Sequence, residues 1–202
     1  MRVILASGSP RRRELLGVLF QAFEILSADI DETPLDGEDP EVYARRLARE
    51  KAIAVAARLD AANTTITTNE TNRLIIAADT VVALEGEILG KPVDAAEARS
   101  MLRRLAEHSH TVFTGFALLK GDDDAPIVDA ARTTVHFDSV PDAAIARYVD
   151  SGLPMDRAGG YGIQDPFGAR YIRGIEGDYN NVVGLPVHAL GRALADHGLL
   201  PE

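Results

Sequence analysis

The sequence contains no cysteine and no tryptophan among its 202 residues. Disulfide bonds and thiolate metal sites are therefore excluded, and any metal ion must use oxygen or histidine ligands. No apolar run approaches the ~18 residues of a membrane-spanning helix. The apolar stretch that follows Arg2 is also far shorter than the core of a secretory signal peptide. From these absences we expect a cytoplasmic protein.

Positive charge is also scarce, because 21 Lys and Arg residues face 31 Asp and Glu residues, for a formal net charge of −10. A general nucleic-acid binder carries a basic surface or a long basic stripe, so we expect no nucleic-acid partner. Three consecutive arginines, Arg11, Arg12 and Arg13, form a local cationic cluster on this acidic chain. Such a cluster favours a small phosphorylated ligand, bound with a divalent cation, over a polymer.

Apolar periodicity predicts an α/β protein, with a central twisted mixed sheet flanked by helices and two lobes around a cleft. We treat residues 1–202 as a single domain. The predicted strands are about 2–7, 22–27, 74–82, 111–120 and 127–137, and the predicted helices are about 10–20, 40–59, 94–105, 141–148 and 185–199. The glycine-rich stretch 152–184 carries little helix signal. Residues 61–73, with eight Thr or Asn among thirteen, predict a mobile surface loop.

The most informative segment runs from Ser7 to Arg13, where a Ser-Gly-Ser turn joins the first strand to a helix. Pro10 suits the first helical position, and Ser9 suits the N-cap. Arginines in a first helical turn oppose the helix dipole, so a helix that carries three of them there usually binds an anion. The alternative is a solvated basic helix start. The Ser7 hydroxyl and the guanidinium groups together favour a phosphate site.

Two carboxylates are candidates for chemistry or metal binding. Asp79 interrupts the apolar run 74–82, where an isolated buried carboxylate would be costly. It could ligate Mg²⁺ or Mn²⁺ or activate a water as a general base; the alternative is a turn cap or an arginine partner. Glu32 lies in an acidic loop and is a weaker candidate metal ligand, because such residues are usually only solvated.

Four further polar positions have both a structural and a functional interpretation. Lys51 lies near the end of the second helix, which the helix dipole alone favours, and Lys91 lies in a Gly-Lys-Pro turn; either could reach a triphosphate. Gln164 follows a Gly-Gly-Tyr-Gly stretch, and its amide could read a base edge; the alternative is an ordinary irregular loop with strained turns. Asp178 could cap a helix or join a metal or phosphate site. The histidines show no metal-ligand spacing, so we interpret His108 and His110 as structural.

The chain resembles the Maf family of nucleoside triphosphate pyrophosphatases. Seven segments match the family's motifs in order and span nearly the whole chain. They are residues 6–16, 50–52, 78–82, 90–92, 110–115, 158–164 and 177–186. The resemblance implies a fold related to the inosine-triphosphate pyrophosphatases, a homodimer, and cleavage of a nucleoside triphosphate to the monophosphate and pyrophosphate with a divalent metal.

The resemblance also implies a role for individual residues. Asp79 matches the family's proposed general base. The triphosphate-contacting positions match Arg12, Arg13, Lys51 and Lys91. The positions thought to separate subfamilies match Arg11, Thr80 and Gln164, which look like the dTTP/UTP type rather than the 7-methyl-GTP type. Two features depart from the family pattern: the segment 61–73 looks like an insertion, and Glu107 stands where the family often has Gly.

Two rival functions remain open at this point. A non-catalytic nucleotide-binding regulator of cell division would need the same phosphate site without an activated water. A nucleic-acid-binding protein conflicts with the net charge of −10. The combination of Asp79 with two lysines and the arginine cluster favours catalysis, by attack of water on the α-phosphorus of the triphosphate.

Overall fold

A computed structural model describes residues 1–62, 72–121, 123 and 125–200. Its strands are β1 (Arg2–Leu5), β2 (Glu24–Ile25), β3 (Arg73–Leu84), β4 (Glu87–Leu89), β5 (Ser109–Lys120), β6 (Ile127–Phe137) and β7 (Ile172–Glu176). Its helices are α1 (Pro10–Leu16), α2 (Pro40–Ala62), α3 (Ala95–Leu105), α4 (Asp142–Asp150), α5 (Pro166–Tyr171), α6 (Tyr179–Val183) and α7 (Val187–Asp196). The predicted α/β class with a mixed sheet is confirmed.

The sheet is built around β3 and β5. The strand order is β2-β1-β3-β5-β6-β7, with β4 paired to β3. The β1–β2 and β1–β3 pairs are parallel, and the remaining pairs are antiparallel. Helix α2 packs on one face of the sheet, whereas α1 and α7 pack on the other. None of the helices in the described ranges combines the length and apolar character needed to cross a lipid bilayer.

A gap along one edge of β3 positions the site. Strand β1 pairs with β3 only as far as Ile76, and β4 pairs with β3 only from Val82 onward. Between them, Asp79 and Thr80 are paired only with β5. The chain leaves β1 at this gap and forms the turn that starts at Ser7, so a cleft opens beside the middle of β3. Because side chains alternate along a strand, Asp79 faces α2 and Thr80 faces the opposite side.

Close packing of α2 on the sheet depends on a glycine opposite the candidate base. Gly115 pairs with Asp79 across β3 and β5, and a Cβ atom there would overlap the Ala44 carbonyl oxygen of α2. We expect Gly115→Ala to lower the free energy of unfolding by about 1–3 kcal/mol, because overpacking pushes α2 from the sheet. Denaturant unfolding measures this, and turnover should fall as well because Lys51 lies on the same helix.

A matched control is available on the sheet edge. A Cβ atom at Gly174 in β7 meets no heavy atom within 4 Å, so Gly174→Ala should leave both stability and turnover near the wild-type values. Equal stability of Gly115→Ala and Gly174→Ala would contradict the packing argument.

The boundaries of several predicted elements need correction. Helix α1 ends at Leu16, not near residue 20, and β2 has two residues. The glycine-rich stretch, which carries little helix signal, nevertheless holds α5 and α6 as well as two short 3₁₀ turns and β7. The predicted loop 61–73 falls mainly on residues 63–71, outside the described residues, while α2 reaches Ala62 and β3 begins at Arg73.

Glu107 has a backbone conformation that favours glycine. Its φ is +64°, in the left-handed region, where glycine carries no steric penalty and a residue with a Cβ atom does. It follows α3 directly, where the chain turns into β5. The departure from the family pattern therefore falls on a turn and not on the cleft.

Candidate active site

A cleft of about 600 Å³ lies at the gap beside β3. Five cationic and three anionic side chains line it, so the cleft has an excess of positive charge on a protein whose net charge is −10. The lining residues include nearly all of the predicted site: Ser7, Arg11, Arg12, Glu32, Lys51, Asp79, Thr80, Lys91 and Gln164. Arg13 is the exception, because it is exposed and does not line the cleft.

Three hydrogen bonds hold the Arg12 guanidinium in a defined orientation in the cleft. Its Nε donates to the Gly184 carbonyl (2.9 Å), Nη1 donates to Ser7 Oγ (3.3 Å) and Nη2 donates to Thr80 Oγ1 (3.0 Å). Burial lowers the pKa of the Arg12 guanidinium, and the negative charges of Asp79 and Glu32 offset only part of this effect. This fixed guanidinium suits recognition of a phosphate.

The Thr80 hydroxyl belongs to a chain of hydrogen bonds that ends in the protein core. Thr114 donates its only hydroxyl proton to the Asn181 carbonyl (2.9 Å), so Thr80 is the donor in the 3.0 Å contact between Thr80 and Thr114, which is shorter than its 3.4 Å contact with the Gly184 carbonyl. Thr80 can then only accept from Arg12. In this geometry Thr80 orients Arg12, a role that the sequence did not reveal.

Lys51 joins the two candidate carboxylates. Its Nζ lies 2.6 Å from Asp79 Oδ1 and 2.6 Å from Glu32 Oε1. Lys51 and Asp79 are both 8% exposed. Partial burial raises the pKa of Glu32, but its hydrogen bond to Lys51 and the surrounding positive charges outweigh this and lower the pKa overall. Tyr43 fixes the Glu32 loop by donating to the Glu32 carbonyl (2.5 Å).

The paired carboxylates fit a divalent cation that is shared with a bound phosphate. Asp79 and Glu32 converge on one ammonium group. No cluster of three or more His, Cys, Asp or Glu side chains with metal-binding geometry occurs within the described ranges. Mg²⁺ commonly uses one or two carboxylates together with substrate phosphate oxygens and waters. The donor set therefore suits a metal that arrives with a triphosphate.

The mouth of the cleft carries a second cation–carboxylate contact. Lys91 Nζ donates to Asp156 Oδ1 (3.0 Å), and Arg11 Nη2 donates to the Asp156 carbonyl (3.3 Å). The hydrogen bond to Lys91 lowers the pKa of Asp156. The Lys91 and Asp156 side chains are 62% and 73% exposed, so this contact is weak. Little free energy is therefore needed to separate Lys91 from Asp156.

The structure also shows the local environment of one lysine, one aspartate and two histidines that were singled out in the sequence. Lys51 lies in the middle of α2 rather than near its end, so the helix-dipole explanation is wrong. Asp178 caps α6 by accepting from the Asn180 N–H (2.8 Å), which confirms the capping prediction. His110 is structural, as predicted: its Nε2 contacts the Tyr161 hydroxyl (2.7 Å), and burial lowers the pKa of His110 to about 3. His108 is exposed.

Comparison with known proteins agrees with the geometry. A family model described as "Maf-like protein" matches residues 2–197. A dTTP/UTP pyrophosphatase of Geobacter sulfurreducens is 46% identical over 187 residues, covering 92% of this chain and 91% of the relative. Proteins of the same name from Koribacter versatilis and Myxococcus xanthus are 44% and 46% identical, covering 99% and 92% of this chain and 96% and 87% of the relatives. The chain therefore belongs to the Maf-like protein family.

Proposed function

We propose that the protein hydrolyses dTTP and UTP to the nucleoside monophosphate and pyrophosphate. The observation that carries the proposal is the cleft that Arg12, Lys51 and Lys91 line together with Asp79, whose carboxylate contacts Lys51 at 2.6 Å. Cationic groups of this kind match a triphosphate, and a nearly buried carboxylate can handle a water proton. The relatives named dTTP/UTP pyrophosphatase support this choice of substrate.

In the proposed reaction, the triphosphate lies over the turn from Ser7. Its phosphate oxygens accept hydrogen bonds from Arg12, from Lys91 after it leaves Asp156, and from Lys51. Asp79 orients or deprotonates a water molecule that attacks the α-phosphorus. The bond between the α-phosphorus and the oxygen that bridges to the β-phosphorus breaks, and pyrophosphate leaves with that oxygen.

We propose Mg²⁺ or Mn²⁺ as the cofactor, with Asp79 and Glu32 as its protein ligands. When bound, such an ion neutralises charge on the phosphate oxygens. Lys51 holds the two carboxylates together, because an oxygen of each lies 2.6 Å from its Nζ. We keep Arg11, Thr80 and Gln164 as proposed specificity residues. Arg13 does not line the cleft, so its contact with the triphosphate stays a prediction from the resemblance alone. The homodimer, the cytoplasmic location and the absence of nucleic-acid binding stay predictions.

Pyrophosphate release from a nucleotide panel tests the function. With Mg²⁺ or Mn²⁺ present, we expect dTTP and UTP to be the best substrates and 7-methyl-GTP to be a poor one. A preference for 7-methyl-GTP would contradict the roles of Arg11, Thr80 and Gln164. Tight binding of nucleotide without any turnover would instead support the rival function, a non-catalytic regulator of cell division.

A further inference from the structure

Gln164 is presented to the cleft by a tight turn. The Asp165 N–H donates to the Gly162 carbonyl (3.1 Å), which closes a four-residue turn with Ile163 and Gln164 at its centre. Gln164 is exposed and lines the cleft. Its side-chain amide makes no hydrogen bond within the described part of the chain, so it is free to meet a ligand.

One buried hydroxyl group on α4 holds both ends of this turn. The Tyr148 hydroxyl donates to Asp165 Oδ2 (2.5 Å) and accepts from the Gly162 N–H (3.1 Å). Tyr148 is 7% exposed, and its ring stacks on Phe167 with 4.3 Å between the ring centroids. Burial raises the pKa of Tyr148, and the hydrogen bond to Asp165 raises it further. The hydroxyl therefore keeps its proton at neutral pH.

The other oxygen of Asp165 is also occupied. Arg157 Nη2 donates to Asp165 Oδ1 (2.8 Å), and Arg157 Nε donates to the Leu153 carbonyl (3.1 Å). A Cβ atom at Gly162 would overlap the Arg157 guanidinium group and crowd the Asp165 carboxylate. The turn is thus packed tightly against a partly buried ion pair, which leaves it little room to shift.

We infer that Tyr148 is a positioning residue for base selection, because it fixes the Gly162–Asp165 turn that presents Gln164. Tyr148 does not line the cleft, so it acts on a nucleotide only through this turn. The inference rests on the proposed function, in which Gln164 reads the base. Under this inference, α4 positions the turn that contacts the base, whereas Arg12 and Lys51 bind the phosphate groups.

The test is Tyr148→Phe, which removes the hydroxyl but keeps the stacked ring. Dissociation constants for dTTP, dCTP and inorganic tripolyphosphate are measured by calorimetry in EDTA, to prevent turnover. The two nucleotides share sugar and triphosphate and differ only on the ring. We expect the preference for dTTP over dCTP to fall about three- to tenfold, the scale of one hydrogen bond, and the tripolyphosphate constant to stay unchanged.

Tyr171→Phe is the matched control. The Tyr171 ring packs on the same Phe167 at 5.1 Å, and its hydroxyl has no hydrogen-bond partner among the described residues, so the preference should be retained. Asp165→Asn, which keeps the shape but removes the charge, should lower the preference as Tyr148→Phe does.

Three results would overturn the inference: an unchanged preference in Tyr148→Phe, an equal loss of tripolyphosphate affinity, or a wild-type protein that binds dTTP and dCTP equally. Because binding is measured without turnover, these results are distinct from failure of the proposed function. That failure would appear as a wild-type protein that releases no pyrophosphate.

Discussion

Asp79→Asn is expected to lower kcat for dTTP at least about 10²–10³-fold, the scale for loss of a general base or of one charge-stabilising group. The amide keeps the shape of the side chain but takes up a water proton poorly. Lys51 still has Glu32 as a partner at 2.6 Å, so the fold should persist. Pyrophosphate release at saturating dTTP measures the loss, and circular dichroism with thermal unfolding checks the fold.

Asp156→Asn provides the matched control, since Asp156 lies in the same cleft and also contacts a lysine. Its side chain is 73% exposed, and it takes no part in the proposed reaction. We expect an unchanged kcat and a KM lowered by no more than about fivefold, because the contact that Lys91 must leave is worth about 1 kcal/mol or less. Turnover at the wild-type rate by Asp79→Asn would show that the role given to Asp79 is wrong.

Long elements were predictable because many positions carry the same signal. Apart from Asp79 and Thr80, the run from Leu74 to Val82 is apolar on both faces, and β3 is indeed a central strand covered on both sides. The predicted helix 94–105 also begins where α3 does, since Asp94 Oδ1 caps α3 by accepting from the Glu97 N–H (2.8 Å). In an element of this length, one atypical residue does not change the prediction. Only the predicted ends of these elements differ from the structure.

Short elements were not predictable, because their stability comes from distant partners. Helices α5 and α6 have six and five residues, too few to display a helical period. α6 is held by Asn181, whose Nδ2 donates to the Val112 carbonyl (3.0 Å) and to Thr133 Oγ1 (2.9 Å). Neither contact can be recognised from the local sequence, since both partners lie more than forty residues away.

The site residues were predictable by type but not by orientation. Arg12 and Arg13 are adjacent, and nothing in their sequence ranks them. Successive helical residues point about 100° apart, so only one of the two can face Thr80 and Gly184. The structure places Arg12 in that position and leaves Arg13 exposed. Which face of α1 points toward Thr80 and Gly184 is set by the packing of α1, which the sequence alone does not show.

The contact of Lys51 with both carboxylates could not be predicted from the sequence either. Its three residues come from separate elements: Glu32 from a loop, Lys51 from α2 and Asp79 from β3. Lys51→Met, which keeps the length but removes the charge, is expected to lower kcat/KM for dTTP about 10²–10³-fold. Asp79 and Glu32 would then repel each other, and the triphosphate would lose a cation. Lys91→Met should cost less and act mainly on KM, because Lys91 is 62% exposed at the mouth.

The pH dependence of Lys51→Met separates its charge from its shape. In the wild type, Lys51 lowers the pKa of Glu32 against the effect of burial, so the carboxylate persists as the pH falls below its ordinary range. Without the ammonium, burial remains and Asp79 adds repulsion, so the Glu32 pKa rises. The acid limb of the pH–rate profile should therefore move to higher pH in Lys51→Met and much less in Lys91→Met. An acid limb at the wild-type position in Lys51→Met would mean that Lys51 does not control Glu32.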